Sequence, residues 1–186
     1  MLYVTKKPMI ARIQNIDVLD LPADALIYST NVLLNFSGGV GACLVERYGK
    51  HVQVDLHIML SDRNIKFAER GSVFQHVSEG MAYKKVFHTI PSDGFYDTTQ
   101  EIVASVLRAS LSECVDAGNV HTIALSALAT GYGHLGFDDF FRIAASVLAE
   151  EAFAELGNAT ICIADEYSFR LASELINNES LALTTA

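Results

Sequence analysis

Three glycines in the second half of the chain lie where a protein could bind an anion through its backbone. Gly131, Gly133 and Gly136 follow a run of β-favouring residues at 120–126 and precede a helical pattern that begins at Phe137. Glycine lets the backbone approach a ligand closely, and the first N–H groups of a helix attract negative charge. The order of strand, glycine loop and helix therefore predicts a phosphate-binding loop.

A second glycine segment, Ser37-Gly-Gly39, has the same arrangement. It follows a predicted strand at 24–30 and opens a predicted helix near residue 40. Two loops that each present N–H groups could hold one diphosphate between them. The segment lacks the Gly-Lys-Ser/Thr ending of a P-loop, so the sequence does not support nucleoside triphosphate hydrolysis.

The later loop also fits a dinucleotide pattern. Gly131-Tyr-Gly-His-Leu-Gly136 matches G-x-G-x-x-G in a strand–loop–helix context. This alternative predicts a Rossmann-type NAD-dependent oxidoreductase, with Asp165 beyond the next strand as the ribose carboxylate. A tight connection without any ligand is a further interpretation of the three glycines. The second glycine loop and the late position of the pattern weigh against the Rossmann alternative.

Predicted strands and helices alternate along the whole chain. The predicted strands are 9–16, 24–30, 72–77, 83–90, 120–126 and 160–164. The predicted helices are 40–48, 51–60 with an irregular extension toward 70, 98–117 after a Thr98–Glu101 capping box, 138–156 and 166–177. Several strands are apolar throughout, which indicates an α/β domain whose sheet is covered on both faces. Residues 1–8 are expected to form a short arm, and 178–186 a frayed tail.

Composition excludes several classes of protein. The chain of 186 residues contains 51% hydrophobic residues, which is typical of one globular domain rather than a disordered chain. Its net charge of −9 disfavours extended nucleic acid as a partner. There is no membrane-length apolar run and no signal peptide, so we expect a cytoplasmic protein without a membrane partner. Cys43, Cys114 and Cys162 lie within apolar patterns, and no spacing indicates a metal or another cofactor.

Several motifs, taken in order, resemble those of the macrodomains, a family that binds ADP-ribose. Asn15-Ile16-Asp17-Val18 is similar to the family's Gly-Asp-Ile-Thr, and Asp24-Ala-Leu-Ile-Tyr-Ser-Thr-Asn31 to its Asp-Ala-Ile-Val-Asn-Ala-Ala-Asn. Ser37-Gly-Gly-Val40 is similar to the glycine loop that follows. The interval of seven between Asp17 and Asp24 is also the family's interval.

The resemblance continues in the second half and covers roughly residues 10–165. Val86-Phe-His-Thr89 is similar to a Val-Ile-His-Thr strand of the family. Ser126-Ala-Leu-Ala-Thr-Gly131 matches Pro-Ala-Ile-Ser/Gly-Thr-Gly, with serine in place of proline. The implied fold is a single-domain three-layer sandwich, with a mixed, mostly parallel sheet of about six strands and helices on both faces.

The resemblance also implies roles for individual residues, with ADP-ribose or an ADP-ribosylated protein as the partner. Asp17 would accept a hydrogen bond from the adenine amino group, with Val18 beside it, and Asn31 would face the distal ribose. The two loops would bind the phosphates through Gly38, Gly39 and Val40 and through Ala129, Thr130, Gly131, Tyr132 and Gly133. Asp24 is interpreted as a structural turn residue, and His88 as a core histidine.

Departures from the family bear on catalysis. Tyr28 replaces the first asparagine of Asn-Ala-Ala-Asn, and Gly41 stands where many ADP-ribosyl hydrolases of the family carry an aspartate. The family's alternative Lys–Asp pair has no lysine in these loops. If turnover occurs, the polar candidates are Asn31, Asp93 and His134, while Asp93 and Asp97 could also be turn residues. Hydrolysis of an ADP-ribosyl linkage or a related metabolite, and a non-catalytic reader, both stay open, as does the oligomeric state.

Overall fold

The structure, a computed structural model, describes residues 9–186 as alternating strands and helices. The strands are β1 (Ile10–Gln14), β2 (Ala25–Ser29), β3 (Val73–Gln75), β4 (Lys85–Thr89), β5 (Thr122–Ser126), β6 (Asn158–Cys162) and β7 (Thr184–Thr185). The α-helices are α1 (Gly39–Tyr48), α2 (His51–Asp62), α3 (Gln100–Ala117), α4 (Phe137–Leu148) and α5 (Glu166–Glu179). The predicted arm at 1–8 lies outside the described residues.

All seven strands form one sheet in the order β3-β4-β2-β5-β6-β1-β7. Every neighbouring pair is parallel except β3 and β4, which are antiparallel. The predicted mixed, mostly parallel sheet is therefore confirmed. Because these strands run in one direction, their carboxyl ends lie together. The loops after β1, β2, β4, β5 and β6 therefore all leave from the same end of the sheet.

Helices cover both faces of this sheet, as the alternation within β2 illustrates. Ile27 belongs to a core cluster that contains residues of α3, α4 and α5, such as Leu107 and Phe140. Its neighbours Leu26 and Tyr28 point to the opposite face, in a cluster with residues of α1 and α2. A fully buried parallel strand must be apolar on both sides, and this explains the continuous apolar run in the sequence. No helix of the described chain has the length and apolar character needed to cross a membrane.

The end of the chain corrects one expectation. Residues 178–186 were predicted to fray, but Thr184 and Thr185 pair in parallel with Arg12 and Ile13 of β1. Leu183 is buried against the core that contains α5. This short strand brings the sheet from about six strands to seven. Two polar threonines are too short a segment to show the alternation of a strand. The sequence around them therefore does not predict their pairing with β1.

Helix ends account for two smaller corrections. The predicted helix 138–156 ends at Leu148 and is followed by a separate 3-10 helix, Glu151–Leu156. The cap of α3 is Thr99, whose Oγ1 accepts from the N–H of Ile102, rather than Thr98. The Thr98 hydroxyl instead donates to the carbonyl of Pro91, which ties the helix start to the loop after β4.

Asp24 has the structural role that was expected. Its carboxylate accepts hydrogen bonds from the N–H groups of His121 and Thr122 and from the Thr122 hydroxyl. Lys84 Nζ lies 2.8 Å from the same carboxylate. The hydrogen bond from Lys84, followed by those from the two backbone amides, lowers the pKa of Asp24 to about 2. Asp24 therefore connects the amino-terminal ends of β2, β4 and β5, at the end of the sheet opposite the glycine loops.

His88 is a core histidine, as predicted, and it is paired with Tyr28. The Tyr28 hydroxyl lies 2.5 Å from His88 Nδ1, and His88 Nε2 lies 3.1 Å from the carbonyl of His76. These contacts define one neutral tautomer, in which Nε2–H donates to the carbonyl and Nδ1 accepts from the tyrosine. The imidazole is therefore held uncharged beneath the glycine loops.

We expect His88 to make the fold sensitive to mild acid. Burial lowers the pKa of His88 from 6.5 to about 4. Between these values the unfolded chain binds a proton that the folded chain excludes, so stability falls as pH drops through this window. The full loss, reached below pH 4, is about 3 kcal/mol.

Urea unfolding at pH 7.5, 6, 5 and 4 would measure this dependence. The loss in free energy of unfolding between pH 7.5 and pH 5 should be smaller in a His88→Gln variant, which has no group at position 88 to titrate there. Asp24 affects stability only at lower pH. Because its pKa is lowered from 3.8 to about 2, the stabilisation that its carboxylate provides is lost as pH falls from about 4 to about 2. An equally steep loss in the variant would contradict the assignment to His88.

Candidate functional site

A cleft of about 410 Å³ lies at the carboxyl ends of strands β2, β4 and β5. This volume is within the range of small-molecule sites. Ten residues singled out from the sequence line it: Asn31, Gly38, Gly39, Val40, Asp93, Ala129, Thr130, Gly131, Tyr132 and Gly133. The structure therefore brings together the two glycine loops, which are about ninety residues apart in the chain.

Tyr132 joins the two loops. A Cβ atom added to Gly38 would lie only 2.8 Å from the Tyr132 hydroxyl oxygen and 3.0 Å from a ring carbon. The ring thus lies directly against the backbone of the first loop, while 70% of the residue stays exposed. On its other side Tyr132 approaches Tyr96, with ring centroids 6.1 Å apart. The two tyrosines form an aromatic rim at the mouth of the cleft.

Ser29 positions the second loop and was not identified from the sequence. Its hydroxyl oxygen accepts a hydrogen bond from the N–H of Ala129 at 3.0 Å. Ala129 has a φ of +60°, a left-handed conformation that is uncommon for residues with a side chain. The loop then turns so tightly that a Cβ on Gly133 would lie 2.4 Å from the Ala129 carbonyl oxygen. A serine at the end of an apolar strand was the available signal.

Hydroxyl groups and backbone, rather than cations, dominate the lining. Six residues contribute a serine or threonine to it: Ser29, Thr30, Ser37, Ser92, Ser126 and Thr130. Within the described chain, Asp93 is the one formally charged residue of the lining. An anion in the cleft would therefore be held by N–H and O–H donors. Thr30 Oγ1 is buried and has no hydrogen-bond partner among the described residues.

Asn31 lines the cleft, but much of its amide is already used. Its Oδ1 accepts from the N–H groups of Leu33 and Asn35, both at 3.1 Å. Its Nδ2 donates to the carbonyl of Asn35 at 2.7 Å. These bonds shape the start of the first loop and leave one N–H for a ligand. The predicted contact with a distal ribose stays a prediction.

The other polar candidates also have partners. Asp93 Oδ1 accepts from the N–H groups of Phe95 and Asp97, at 2.9 and 3.0 Å. Arg70 approaches Asp93 Oδ2 at 3.4 Å. His134 lies outside the cleft lining, with its Nδ1 3.0 Å from Asp97 Oδ1. The structure thus uses these carboxylates to build a turn and to connect it to the second glycine loop.

Asp17 and Val18 follow β1 and do not contribute to the cleft lining. Asp17 Oδ1 accepts from the N–H of Leu19 at 2.8 Å, and Val18 is buried. Since β1 lies three strands from β2 in the sheet, Asp17 is roughly 14 Å from the end of β2, on the same side of the molecule as the cleft. Their contact with adenine stays a prediction.

Phe36 explains why residue 41 is a glycine. A Cβ on Gly41 would lie 2.9 Å from Phe36 Cδ1 and 3.2 Å from Phe36 Cα. The Phe36 ring stacks on His88, with centroids 6.1 Å apart, and tilts against Tyr28 at 6.2 Å. An aromatic wall therefore occupies the space beside residue 41 and below the first loop. Neither Phe36 nor its contact with Gly41 could be identified from sequence spacing alone.

Comparisons with known proteins agree with the fold. A macrodomain from Oceanobacillus iheyensis, a mutant whose structure contains ADPR, superposes with a TM-score of 0.78 at 16% identity, covering 90% of this chain and 92% of that one. A Trypanosoma brucei macrodomain in complex with ADP gives 0.70 at 18% identity, with coverages of 90% and 69%. The macrodomain of Mycobacterium tuberculosis DarG gives 0.65 at 16% identity, with coverages of 83% and 97%. Comparison with curated proteins found no significant match.

The sequence itself matches a family model over the region that contains the cleft. The Macro domain model matches residues 27–144. This range runs from β2 through α4 and includes both glycine loops. Since it spans more than half of the 186 residues, the chain belongs to the macrodomain family.

Proposed function

We propose that this chain binds ADP-ribose, either free or attached to a protein. The observation that carries the proposal is the cleft itself, in which two glycine loops face each other and Tyr132 packs against Gly38. The loops offer backbone donors from both sides, as a diphosphate requires. Macrodomain structures containing ADPR and ADP are similar in fold, which supports this choice of ligand.

The ligand would lie across the carboxyl ends of the strands. The diphosphate would sit between the loops after β2 and β5, and adenine would lie near Asp17, in the loop that follows β1. The second sugar would then extend in the opposite direction, past β2 toward the loop after β4, where Ser92 and Asp93 line the cleft. A distance of roughly 14 Å between the ends of β1 and β2 suits an extended nucleotide.

Binding without turnover is the better supported form of this function. Gly41 offers no acid, and Phe36 fills the space beside it. Asp93 accepts hydrogen bonds within its own turn, and His134 lies outside the cleft lining, paired with Asp97. We therefore favour a reader of ADP-ribose over a hydrolase. The oxidoreductase alternative has less support, since Asp165 caps α5 by accepting from the N–H of Ser168.

Calorimetry with ADP-ribose, AMP and NAD tests binding. ADP-ribose should bind most tightly, because only it places both a diphosphate and a free second sugar in the cleft. Asp17→Ala should weaken ADP-ribose binding roughly tenfold if its carboxylate accepts from the adenine amine. Asp116→Ala, at an exposed position of α3, is the matched control and should change nothing. Absence of ADP-ribose binding at millimolar concentration would refute the proposal.

A mono-ADP-ribosylated protein distinguishes a reader from a hydrolase. We expect the chain to bind the modified protein and to release no ADP-ribose over hours. Release that disappears in an Asn31→Ala variant would instead establish hydrolysis. The predicted cytoplasmic location would be tested separately by fractionation.

A further inference from the structure

A second groove lies beside the cleft and shares a wall with it. Its volume is about 570 Å³, and Asn35 lines both the groove and the cleft. The loop that follows β2 therefore separates the two, with Asn31 on the cleft side and Leu33 on the groove side. A ligand that extends out of the cleft across this loop would enter the groove.

The end of α2 builds one side of the groove. Asn64 has a φ of +53°, and its N–H donates to the carbonyl of Ser61 at 2.8 Å. The N–H of Ile65 donates to the carbonyl of Leu60 at 3.0 Å. These two hydrogen bonds form a Schellman motif, which brings the residue after the turn toward the last turn of the helix. Ile65 and Leu60 accordingly line the groove together.

Further hydrogen bonds fix the opposite side, which is the loop after β2. Gln53 of α2 accepts from the N–H of Phe36 at 2.5 Å and donates to the carbonyl of Leu34 at 2.6 Å. The N–H of Ala68 donates to the carbonyl of Val32 at 2.7 Å. Both sides of the groove are thus held by hydrogen bonds to the backbone, and the groove exists before any partner binds.

Apolar side chains in and around the groove are open to solvent. Leu33 is 41% exposed and Ile65 is 38% exposed. Val54 and Ile58, one turn apart on α2, are also exposed, and so is Phe67, two residues beyond Ile65. Exposed apolar residues that are grouped in this way mark interaction sites, whereas scattered ones do not. The surface therefore suits a polypeptide better than a second small anion.

The charge of the groove favours an acidic partner. Within the part of the chain that the structure describes, Lys66 is the one formally charged residue of the lining. The protein as a whole has a net charge of −9. A carboxylate beside Lys66 would meet a positive charge, although the overall charge of the protein repels it. The groove therefore complements a segment that contains one apolar and one acidic side chain.

The groove also lies on the side to which the second sugar would extend. The segment after Ile65 leads to β3, which pairs with β4, and β4 is next to β2 in the sheet. In the proposed function the second sugar extends past β2 in the same direction. A polypeptide attached to that sugar would continue from the cleft into the groove.

We propose that this groove docks the polypeptide to which ADP-ribose is attached, through an apolar and an acidic residue close to the modified one. The inference rests on the proposed function, because ADP-ribose occupies the adjoining cleft. Leu33 and Ile65 bury the apolar side chain, and Lys66 pairs with the carboxylate. Since the polypeptide is joined to the bound ADP-ribose, even a weak contact in the groove adds to the affinity.

Calorimetry with free ADP-ribose and with two ADP-ribosylated peptides tests the docking. Both peptides carry ADP-ribose through a non-hydrolysable amide linkage. The first has leucine and aspartate beside the modified residue, and the second has serine at both positions. The first peptide should bind roughly tenfold more tightly than free ADP-ribose, and the second should bind with the affinity of free ADP-ribose.

Two variants and their matched controls locate the contact. Ile65→Ser should weaken binding of the leucine–aspartate peptide roughly three- to tenfold, and Lys66→Glu roughly threefold, while both keep their affinity for free ADP-ribose. Leu171→Ser, at an exposed position of α5, and Lys50→Glu, just before α2, should change neither affinity. If Ile65→Ser lowers the Tm, Lys66→Glu still decides the question, because it changes an exposed side chain outside the Schellman motif.

The outcomes separate the two proposals. If free ADP-ribose does not bind, the proposed function is wrong and the docking assignment fails with it. If free ADP-ribose binds and the leucine–aspartate peptide binds no more tightly, the proposed function stands and the docking assignment is overturned. Sedimentation that shows a dimer, dissociated by Ile65→Ser, would assign the groove to a second copy of this chain and would also overturn the docking assignment.

Discussion

Gly133→Ala is expected to abolish most of the ADP-ribose binding while the protein stays folded. The added Cβ would lie 2.4 Å from the Ala129 carbonyl oxygen and 2.9 Å from Ala129 Cα. Both are backbone atoms, so no side-chain rotation can relieve the contact. Overpacking of this kind costs about 1–3 kcal/mol. The second loop would move outward, away from the donors of the first loop.

The dissociation constant for ADP-ribose should rise roughly thirtyfold, which corresponds to about 2 kcal/mol. Calorimetry measures this change, and a thermal melt shows whether the fold is kept. Gly131→Ala is a control within the same loop, because its Cβ would meet nothing within 4 Å and its φ is not positive. That variant should keep the Tm of the unchanged chain. Unchanged affinity in Gly133→Ala would show that the turn at Ala129 is not needed for binding.

Tyr28→Asn should be among the most destabilising single changes in the chain, although it restores the residue typical of the family. Tyr28 is fully buried, and its hydroxyl is bonded to His88. The shorter asparagine would leave a cavity beside Phe36 and His88 and would bury an amide without its partner. Deleting a buried aromatic ring costs about 3–5 kcal/mol. With a few degrees of Tm per kcal/mol at this chain length, Tm should fall by about 10 °C.

Tyr28→Phe separates the two contributions. It keeps the ring and removes only the hydroxyl, so His88 Nδ1 loses its buried donor at a cost of about 1–3 kcal/mol. Urea unfolding of both variants at pH 7.5 gives the comparison. A Tyr28→Asn variant as stable as Tyr28→Phe would contradict the importance of the ring for packing.

Much of the fold was predictable because its signals are local. Apolar strands between helical patterns gave the layers, and glycines at strand ends marked the loops that the structure brings together. The wrong details depended on contacts outside the segment in which the signal was sought. β7 forms only because β1 offers a free edge, and Thr99 rather than Thr98 caps α3 because Thr98 donates to Pro91.

The site was less predictable than the fold, for the same physical reason. Spacing along the chain identified the two glycine loops, and their residues line the cleft. It does not show which side chains are already engaged, such as Asn31 with the backbone of Asn35. Nor does it reveal contacts across elements, such as Ser29 with Ala129 or Asn35 with His57.

The contact between Phe36 and Gly41 also restricts the order in which this sequence could change. A carboxylate at position 41 requires a Cβ, and the ring of Phe36 leaves no room for one. A smaller residue at position 36 must therefore come first, and it would remove a ring that stacks on His88. Each step alone lowers stability before any acid could act. Reaching a sequence with an acid at position 41 therefore takes at least two substitutions, and the protein with only one of them is less stable than the present one.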